Sequence, residues 1–253
     1  MVKMLKEKRR KYVRRLGKPI LRAIDGYVGR HSLVSNAPVL DSALFPWVPM
    51  LEEKWRDIRD EVDRMLRYRD SIPRFQDVSR DQYKISPDDK WKTFVLCGFG
   101  FKSELNCSLC PKTTAILKGI PGLQTAFFSI LAPGKHVPRH KGVTKGMLRC
   151  HLGLVVPQSK ENCWMDVGGV RCVWEEGRAF VFDDFYPHEV WNNTDEERVV
   201  LLIDIERPMT FSAKSLNRAI LWGFKRTSYV VEARRSVAAW EARLRARLST
   251  ETS

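Results

Sequence analysis

The chain lacks any long apolar segment. No uninterrupted apolar run approaches the ~18–20 residues that a membrane-spanning helix requires, and residues 1–30 contain no apolar stretch with a cleavage site of the secretory type. Cysteine is also sparse, because six in 253 residues do not make the framework of a disulfide-stabilised protein. These absences predict a cytoplasmic protein with free thiols, one that could lie peripherally on the inner membrane surface.

The net charge of +14 is concentrated at the two ends of the chain. Residues 1–30 carry 11 Lys and Arg against two acidic residues, a net charge of +9. Residues 211–253 carry nine against three, a net charge of +6, which leaves −1 for residues 31–210. Because the middle of the chain is nearly neutral, the excess charge concerns binding partners and placement rather than the chemistry of an active site.

The first basic region has an amphipathic pattern. Apolar residues from Val13 to Tyr27 recur at spacings of three and four, which predicts two short helices within residues 2–28, divided between Gly17 and Pro19. The opposite face is rich in Lys and Arg. This pattern suits contact with an anionic membrane surface, and it equally suits a helix packed on the core with a solvated basic face. Nucleic acid is disfavoured as a partner, because basic and aromatic residues do not interleave.

Changes in the apolar pattern divide the chain into regions. Residues 50–70 have an apolar stripe of helical period, after a proline-broken connector over residues 31–50. From residue 91 the period changes to two, which is typical of strands, and residues beyond 208 become helical again. The predicted regions are an N-terminal segment with its connector (1–50), helical support (51–90), a β domain (91–210) and basic C-terminal helices (211–253).

Many short strands follow one another within the β domain. A short helix over residues 111–121 separates the first two strands, and Gly168-Gly169 predicts a two-residue hairpin. Closely spaced strands with turn signals predict a mainly β fold, an antiparallel sandwich or jelly-roll barrel with flanking helices at both ends. The predicted strands are residues 93–97, 126–132, 149–156, 163–167, 170–174, 179–183, 189–192 and 199–205.

Alternation places unusual side chains together on two of these strands. Arg149 shares one face with His151, and Arg198 shares one face with Asp204, each opposite an apolar face. A polar face of this kind suits a barrel whose interior binds an anion. Arg149 or Arg198 could hold a carboxylate through two parallel hydrogen bonds. An ion pair with Asp204 or Asp184 is the alternative for either arginine.

Two histidines, His140 and His188, each follow a proline-marked turn and are the best metal candidates. Imidazole suits iron, zinc, copper and nickel, and two histidines leave several positions open for substrates. A lone histidine is more often structural, but two histidines with two arginines indicate a metal that works with a carboxylate-bearing cosubstrate. The lone pair of Cys107 and Cys110 is weak evidence for a metal site.

The sequence offers no obvious carboxylate ligand for that metal. In the usual triad of two histidines and one carboxylate, the carboxylate lies two residues after the first histidine, where this chain has Gly142. Asp183 or Asp184 could supply one instead, but the spacing favours a two-histidine site in which water takes that place. Zinc-dependent hydrolysis is the competing chemistry, although it normally needs a third protein ligand.

A family resemblance rests on four segments, HVPRHKG, LRCHLGLVVP, WEEG and FDDFYPHEVW, and on an arginine ten residues after the last histidine. Over residues 91–208 the chain resembles the aspartyl/asparaginyl β-hydroxylase family. The resemblance implies a double-stranded β-helix and a dioxygenase that uses Fe(II), 2-oxoglutarate and O₂ to hydroxylate its substrate, with no other metal expected. It also implies residue roles: iron ligands at His140 and His188, and 2-oxoglutarate contacts at Arg149, His151 and Arg198, helped by Ser129 and Trp91. The implied catalytic set is His140, His188 and Arg198.

The resemblance leaves the substrate open. Eukaryotic peptide-modifying members have glycine at the position of Gly142, whereas the related bacterial lipid A acyl-chain hydroxylases have aspartate there. The glycine favours an Asp or Asn side chain of a peptide or protein. The length and basic ends of the chain favour instead an acyl chain of lipid A at the inner membrane surface, and a small molecule is a further option. A non-catalytic barrel protein that docks on membranes is the remaining hypothesis.

Overall fold

The computed structural model describes residue 19, residues 22–78 and residues 83–251. The part of the predicted N-terminal helices before residue 22 lies outside the described residues, apart from residue 19, and residues 22–30 are helical (α1). The other helices are α2 (Val48–Glu53), α3 (Trp55–Leu66), α4 (Phe75–Val78), α5 (Glu104–Leu109), α6 (Pro111–Lys118), α7 (Phe211–Phe224) and α8 (Ser228–Glu251). The strands are β1 (Val39–Leu40), β2 (Trp91–Gly98), β3 (Phe101–Lys102), β4 (Leu123–Leu131), β5 (Lys135–His140), β6 (Met147–Val155), β7 (Cys163–Val167), β8 (Val170–Val173), β9 (Ala179–Phe182), β10 (His188–Asn192) and β11 (Arg198–Glu206).

The strands form two antiparallel sheets. The large sheet has the order β1-β9-β6-β11-β4-β2-β3, and the small sheet has the order β5-β10-β7-β8. From β4 to β11 the chain passes repeatedly between them: β4, β6, β9 and β11 lie in the large sheet, and β5, β7, β8 and β10 lie in the small one. This winding is a double-stranded β-helix, so the predicted fold is confirmed.

The central strands of the large sheet are buried on both faces, and the two faces differ in chemistry. On β6, Cys150, Leu152 and Leu154 point to the outer face, where they join the apolar core beneath α2, α3 and α6. Each fully buried aliphatic side chain there stabilises the fold by roughly 1.5–3 kcal/mol. Arg149 and His151 point to the opposite face, towards the small sheet, because successive strand residues alternate in direction.

The connections near the site follow the turn chemistry of the sequence. Gly168 and Gly169 have φ of 59° and 89°, which suits the tight turn between β7 and β8 and confirms the predicted hairpin. The buried Glu61 carboxylate on α3 accepts hydrogen bonds from the N–H groups of Lys112 and Thr113, both at 2.8 Å. An acceptor at that position stabilises the start of α6 and ties the two helices together.

Several stretches differ from the sequence-based expectation, among them helix α5 and strand β3, which the sequence did not predict. The helix expected over residues 50–70 is divided at Lys54 into α2 and α3 and ends at Leu66. The expected connector contains β1, which pairs with β9 at the edge of the large sheet. A further strand, β5, ends at His140 and pairs with β10.

None of the described helices combines the length and the apolar character that crossing a bilayer would demand.

Candidate metal and anion site

Two histidines meet on neighbouring strands of the small sheet. His140 ends β5 and His188 begins β10, where the two residues are paired in register, and their ring centroids are 4.2 Å apart. Each Nδ1–H donates to a backbone carbonyl oxygen two residues earlier, that of Pro138 at 2.8 Å and that of Tyr186 at 2.9 Å. Each Nε2 therefore carries the lone pair that can bind a metal.

Burial keeps both imidazoles neutral. Burial lowers the pKa of His140, and it lowers the pKa of His188 to about 3, with His140 itself adding to the effect. The guanidinium of Arg149 also lowers the pKa of both rings. Because the neutral ring is the form that binds metal ions, the pair is prepared to receive a cation.

Asp184 fills the space beside the first histidine. A Cβ atom on Gly142 would lie 2.4 Å from Asp184 Oδ1, and the Gly142 N–H donates to the Asp184 carbonyl oxygen at 2.7 Å. The carboxylate therefore occupies the place that a side chain at residue 142 would need. Within the part of the chain that the structure describes, no three His, Cys, Asp or Glu side chains are grouped closely enough to bind one metal ion.

Arg198 is a buried cation without a carboxylate partner among the described residues. Its guanidinium carbon lies 4.5 Å from the centroid of the Trp174 ring, and Nη1 is 3.5 Å from the Ser129 carbonyl oxygen. Within the described part of the chain, its Nε has no hydrogen-bond partner. Burial lowers the pKa of Arg198 to about 10, so the group is still charged at neutral pH. Because an uncompensated buried charge is costly, this arrangement indicates a site for an anion.

Two tryptophans orient further donors on the same inner surface. The Trp174 indole N–H donates to His151 Nδ1 at 3.3 Å, and the Trp91 indole N–H donates to Ser129 Oγ at 3.0 Å. Since Nδ1 of His151 is the acceptor, its proton lies on Nε2, an atom with no partner among the described residues. Ser129 likewise keeps its hydroxyl proton for donation. Both groups can therefore donate to an anion held by Arg198.

Arg149 differs from Arg198 because two carboxylates neutralise it. Its Nε donates to Asp204 Oδ1 at 2.7 Å, and its Nη2 lies 3.3 Å from Asp184 Oδ2. The ion pair that the sequence left open for either arginine is thus formed by Arg149. Burial raises the pKa of Asp184, and Arg149 opposes that rise. The contact of Arg149 with 2-oxoglutarate, implied by the resemblance, stays a prediction.

The iron and 2-oxoglutarate candidates lie where the two sheets face each other, and their individual roles stay predictions. Cys107 and Cys110 lie instead in the apolar core on the outer side of the large sheet. Sequence reasoning assigned no role to Trp174, although the quoted WEEG segment contains it. It lies two residues beyond the buried Cys172, so the alternation of β8 could have identified its inward position. Thr93 was also missed; it is paired with Ser129 across the ladder of β2 and β4, and its buried Oγ1 has no partner among the described residues.

Comparison with known proteins identifies a family and several relatives of this chain. The family model for aspartyl/asparaginyl β-hydroxylases matches residues 52–208. The ornithine lipid ester-linked acyl 2-hydroxylase of Rhizobium tropici is 46% identical over 192 residues, which cover 76% of this chain and 68% of that protein. The human aspartyl/asparaginyl β-hydroxylase is 33% identical over 166 residues, which cover 64% of this chain and 21% of that protein.

Solved structures match less closely. The cupin domain of Schizosaccharomyces pombe Cnp3 is 12% identical with a TM-score of 0.34, and the match covers 52% of this chain and 73% of that one. A likeness at that score is too low to support a conclusion. The family match, in contrast, spans more than half of the chain and contains every residue described around the inter-sheet site. The chain therefore belongs to the aspartyl/asparaginyl β-hydroxylase family.

Proposed function

We propose that the chain is a hydroxylase that depends on Fe(II) and 2-oxoglutarate. The buried Arg198 lies in the same inter-sheet space as two neutral histidines and has no carboxylate partner among the described residues, and this is the observation that carries the proposal. The donor set fits both groups, because imidazole nitrogens bind Fe(II) and a guanidinium binds carboxylates with two parallel hydrogen bonds. Partnerless buried atoms on the inner surface, among them His151 Nε2 and Thr93 Oγ1, also favour a ligand there.

Each side chain has a role that follows from its contacts. His140 and His188 would hold the iron through Nε2, and Arg198 would bind a carboxylate of 2-oxoglutarate. His151 and Ser129, oriented by their tryptophans, would donate to the same cosubstrate. Bound iron would supply an oxidation by O₂ that is coupled to the decarboxylation of 2-oxoglutarate to succinate and CO₂.

We further propose that the substrate is the acyl chain of a membrane lipid. The Rhizobium tropici relative, which is named for hydroxylating an ornithine lipid, shares 46% identity over most of its own length. The human relative shares 33% over about a fifth of its length. These observations outweigh the preference for a peptide that Gly142 gave.

An Asp or Asn side chain of a peptide or protein is the second candidate. Gly142 favours it, because the position is occupied by glycine in the peptide-modifying members that the sequence resembles. The match to the human aspartyl/asparaginyl β-hydroxylase favours it as well.

A two-arm turnover assay tests the proposal. Purified chain with Fe(II), ascorbate and 2-oxoglutarate is offered either ornithine-containing acyl lipids in detergent or peptides that contain Asp and Asn. We expect succinate and a product heavier by one oxygen atom in the lipid arm, both abolished by His188→Ala. The matched control is His136→Ala, since the exposed His136 stacks on Trp191 outside the pair. Unchanged succinate formation in His188→Ala would contradict the proposal, and product in the peptide arm alone would favour the second candidate.

A further inference from the structure

A cation-lined cavity lies beside the histidine pair. It measures about 510 Å³ and separates α1 from the loop of residues 141–145. Two of its lining residues adjoin the site directly, because Lys141 follows His140 and Phe185 follows Asp184. Gly26 and Gly29 of α1 face the cavity as well and leave it open on that side. A ligand in this cavity would therefore lie next to the candidate active site.

Three of the cavity's cations have no anionic partner among the described residues. Lys145 is engaged, since its Nζ lies 2.9 Å from Asp183 Oδ2, and Asp25 accepts from the Lys145 N–H at 3.0 Å. Arg22, Arg30 and Lys141 are exposed and form no ion pair with a described carboxylate. The cavity is thus positively charged and complementary to an anion.

Exposed apolar side chains occur on the chain segments next to these cations. Phe211 is 86% exposed, Leu33 is 68% exposed and Val143 is 62% exposed. The His31 carbonyl oxygen accepts from the Thr210 N–H at 3.0 Å, and the Pro208 carbonyl oxygen accepts from the Leu33 N–H at 3.0 Å. These two bonds hold the end of α1 against the start of α7, so that Phe211 lies near Arg30 and Leu33. Val143 belongs to the loop that carries Lys141.

We propose that this end of the molecule is a docking surface for an anionic phospholipid bilayer. The docking surface consists of Arg22, Arg30, Leu33, Lys141, Val143 and Phe211. The cavity receives a phosphate headgroup, and the apolar side chains enter the boundary between headgroups and acyl chains, as in interfacial proteins. Charge complementarity favours this occupant, because unpaired cations alternate with large exposed apolar groups. Docking brings the candidate active site close to the membrane. The docking proposal applies whether or not the substrate is a lipid.

Vesicle sedimentation of the full chain tests the docking surface. Phosphatidylcholine vesicles are used with and without about 30% phosphatidylglycerol. We expect strong binding only to the anionic vesicles, and an affinity about 25-fold lower for Arg22→Gln/Arg30→Gln. Leu33→Ser/Phe211→Ser should lower the affinity about tenfold. Salt at about 0.5 M should lower the affinity of the wild type for anionic vesicles towards that of the arginine variant, because exposed charges are then screened.

Two matched double variants serve as controls. Lys118→Gln/Lys160→Gln removes two exposed charges on α6 and before β7, and Val170→Ser/Val173→Ser removes two exposed apolar side chains on β8. Both controls should bind like the wild type. Arginine and apolar variants that also bind like the wild type would overturn the docking surface. Displacement of the wild type from vesicles by a single-stranded oligonucleotide would overturn it too, since the cations would then serve polyanions in general.

The readouts keep this proposal separate from the proposed function. A chain that sediments with vesicles but forms no succinate in detergent would contradict the hydroxylase and support docking. A chain that forms succinate in detergent but ignores anionic vesicles would support the hydroxylase and overturn docking.

Discussion

The two ends of β11 carry arginines that are equally buried and differently partnered. Arg207, directly after the strand, is 1% exposed and binds the Asp183 carboxylate, and its Nε donates to the Lys145 carbonyl oxygen at 2.8 Å. Arg198, at the start of the strand, is 2% exposed and has no described carboxylate beside it. The difference shows that burial alone does not reveal a role. A compensated cation holds the fold together, whereas an uncompensated one indicates a binding site for an anion.

The largest effect should come from removing Arg207, whose charge is compensated by Asp183. Arg207→Met leaves the Asp183 carboxylate buried with Lys145 as its remaining described cation, so the free energy of unfolding should fall by about 3–5 kcal/mol. Urea denaturation measures the change. The control is Arg178→Met, whose exposed pair with Glu52 should change the free energy of unfolding by less than about 0.5 kcal/mol. Equal losses of unfolding free energy in Arg207→Met and Arg178→Met would contradict a special stabilising role for the buried ion pair of Arg207.

Substitution of the uncompensated Arg198 should weaken the binding of 2-oxoglutarate rather than the stability of the fold. Arg198→Met removes a buried charge that no described carboxylate neutralises, so the free energy of unfolding should stay the same or rise. The KM for 2-oxoglutarate should increase at least about 100-fold, because a buried charged hydrogen bond to the cosubstrate is lost. Succinate formation measures KM, and a thermal scan measures the shift that 2-oxoglutarate gives to the wild type alone. If Arg198→Met lost as much stability as Arg207→Met, the proposed difference between the two arginines would be contradicted.

A smaller effect should follow from crowding the Asp184 carboxylate. In Gly142→Ala the new Cβ would lie 2.4 Å from Asp184 Oδ1, so that side chain must move. We expect a loss of about 1–3 kcal/mol in the free energy of unfolding, together with lower turnover. Gly223→Ala is the control, because nothing lies within 4 Å of its Cβ position near the end of α7. Alanine should be neutral or slightly stabilising in that helix.

The smallest effect should come from Trp174→Phe, which keeps an aromatic side chain but replaces the indole with a smaller phenyl ring and so removes the indole N–H. His151 then loses the bond at 3.3 Å that assigns its proton to Nε2. The KM for 2-oxoglutarate should rise about fivefold, the equivalent of about 1 kcal/mol for one hydrogen bond, while turnover at saturation changes little. Trp164→Phe, a partly exposed ring stacked on Trp191, should leave KM unchanged. A fall in turnover without a change in KM would argue against a positioning role for Trp174.

Local patterns were enough to predict most of the fold. The strands from Cys163 to Val167 and from Arg198 to Glu206 follow from alternation and apolar runs, because each is buried on at least one face. The β5 strand was missed because Pro138 and charged side chains hide its pattern. Proline is tolerated there because β5 is an edge strand of the small sheet. The β1 strand has two residues, too few for any periodicity to appear.

The site was only partly predictable, for a different reason. His140, His188 and Arg198 have distinctive spacing, so the sequence alone is enough to propose them as candidates. The closeness of Asp184 to Gly142 arises from the loop between β9 and β10, and the bond of Trp174 to His151 joins residues 23 positions apart. Contacts of this kind depend on how the two sheets pack, and no local pattern reports them.

The boundaries of both sheets have a consequence for how copies of this chain meet. The large sheet ends in β1 and β3, each of two residues, and the small sheet ends in the proline-containing β5 and the four-residue β8. A long, flat, unpaired edge is a template on which another molecule can add a strand. Since these borders are short or interrupted, concentrated solutions of the folded chain should resist β-sheet aggregation, and any association of copies should use side-chain surfaces instead.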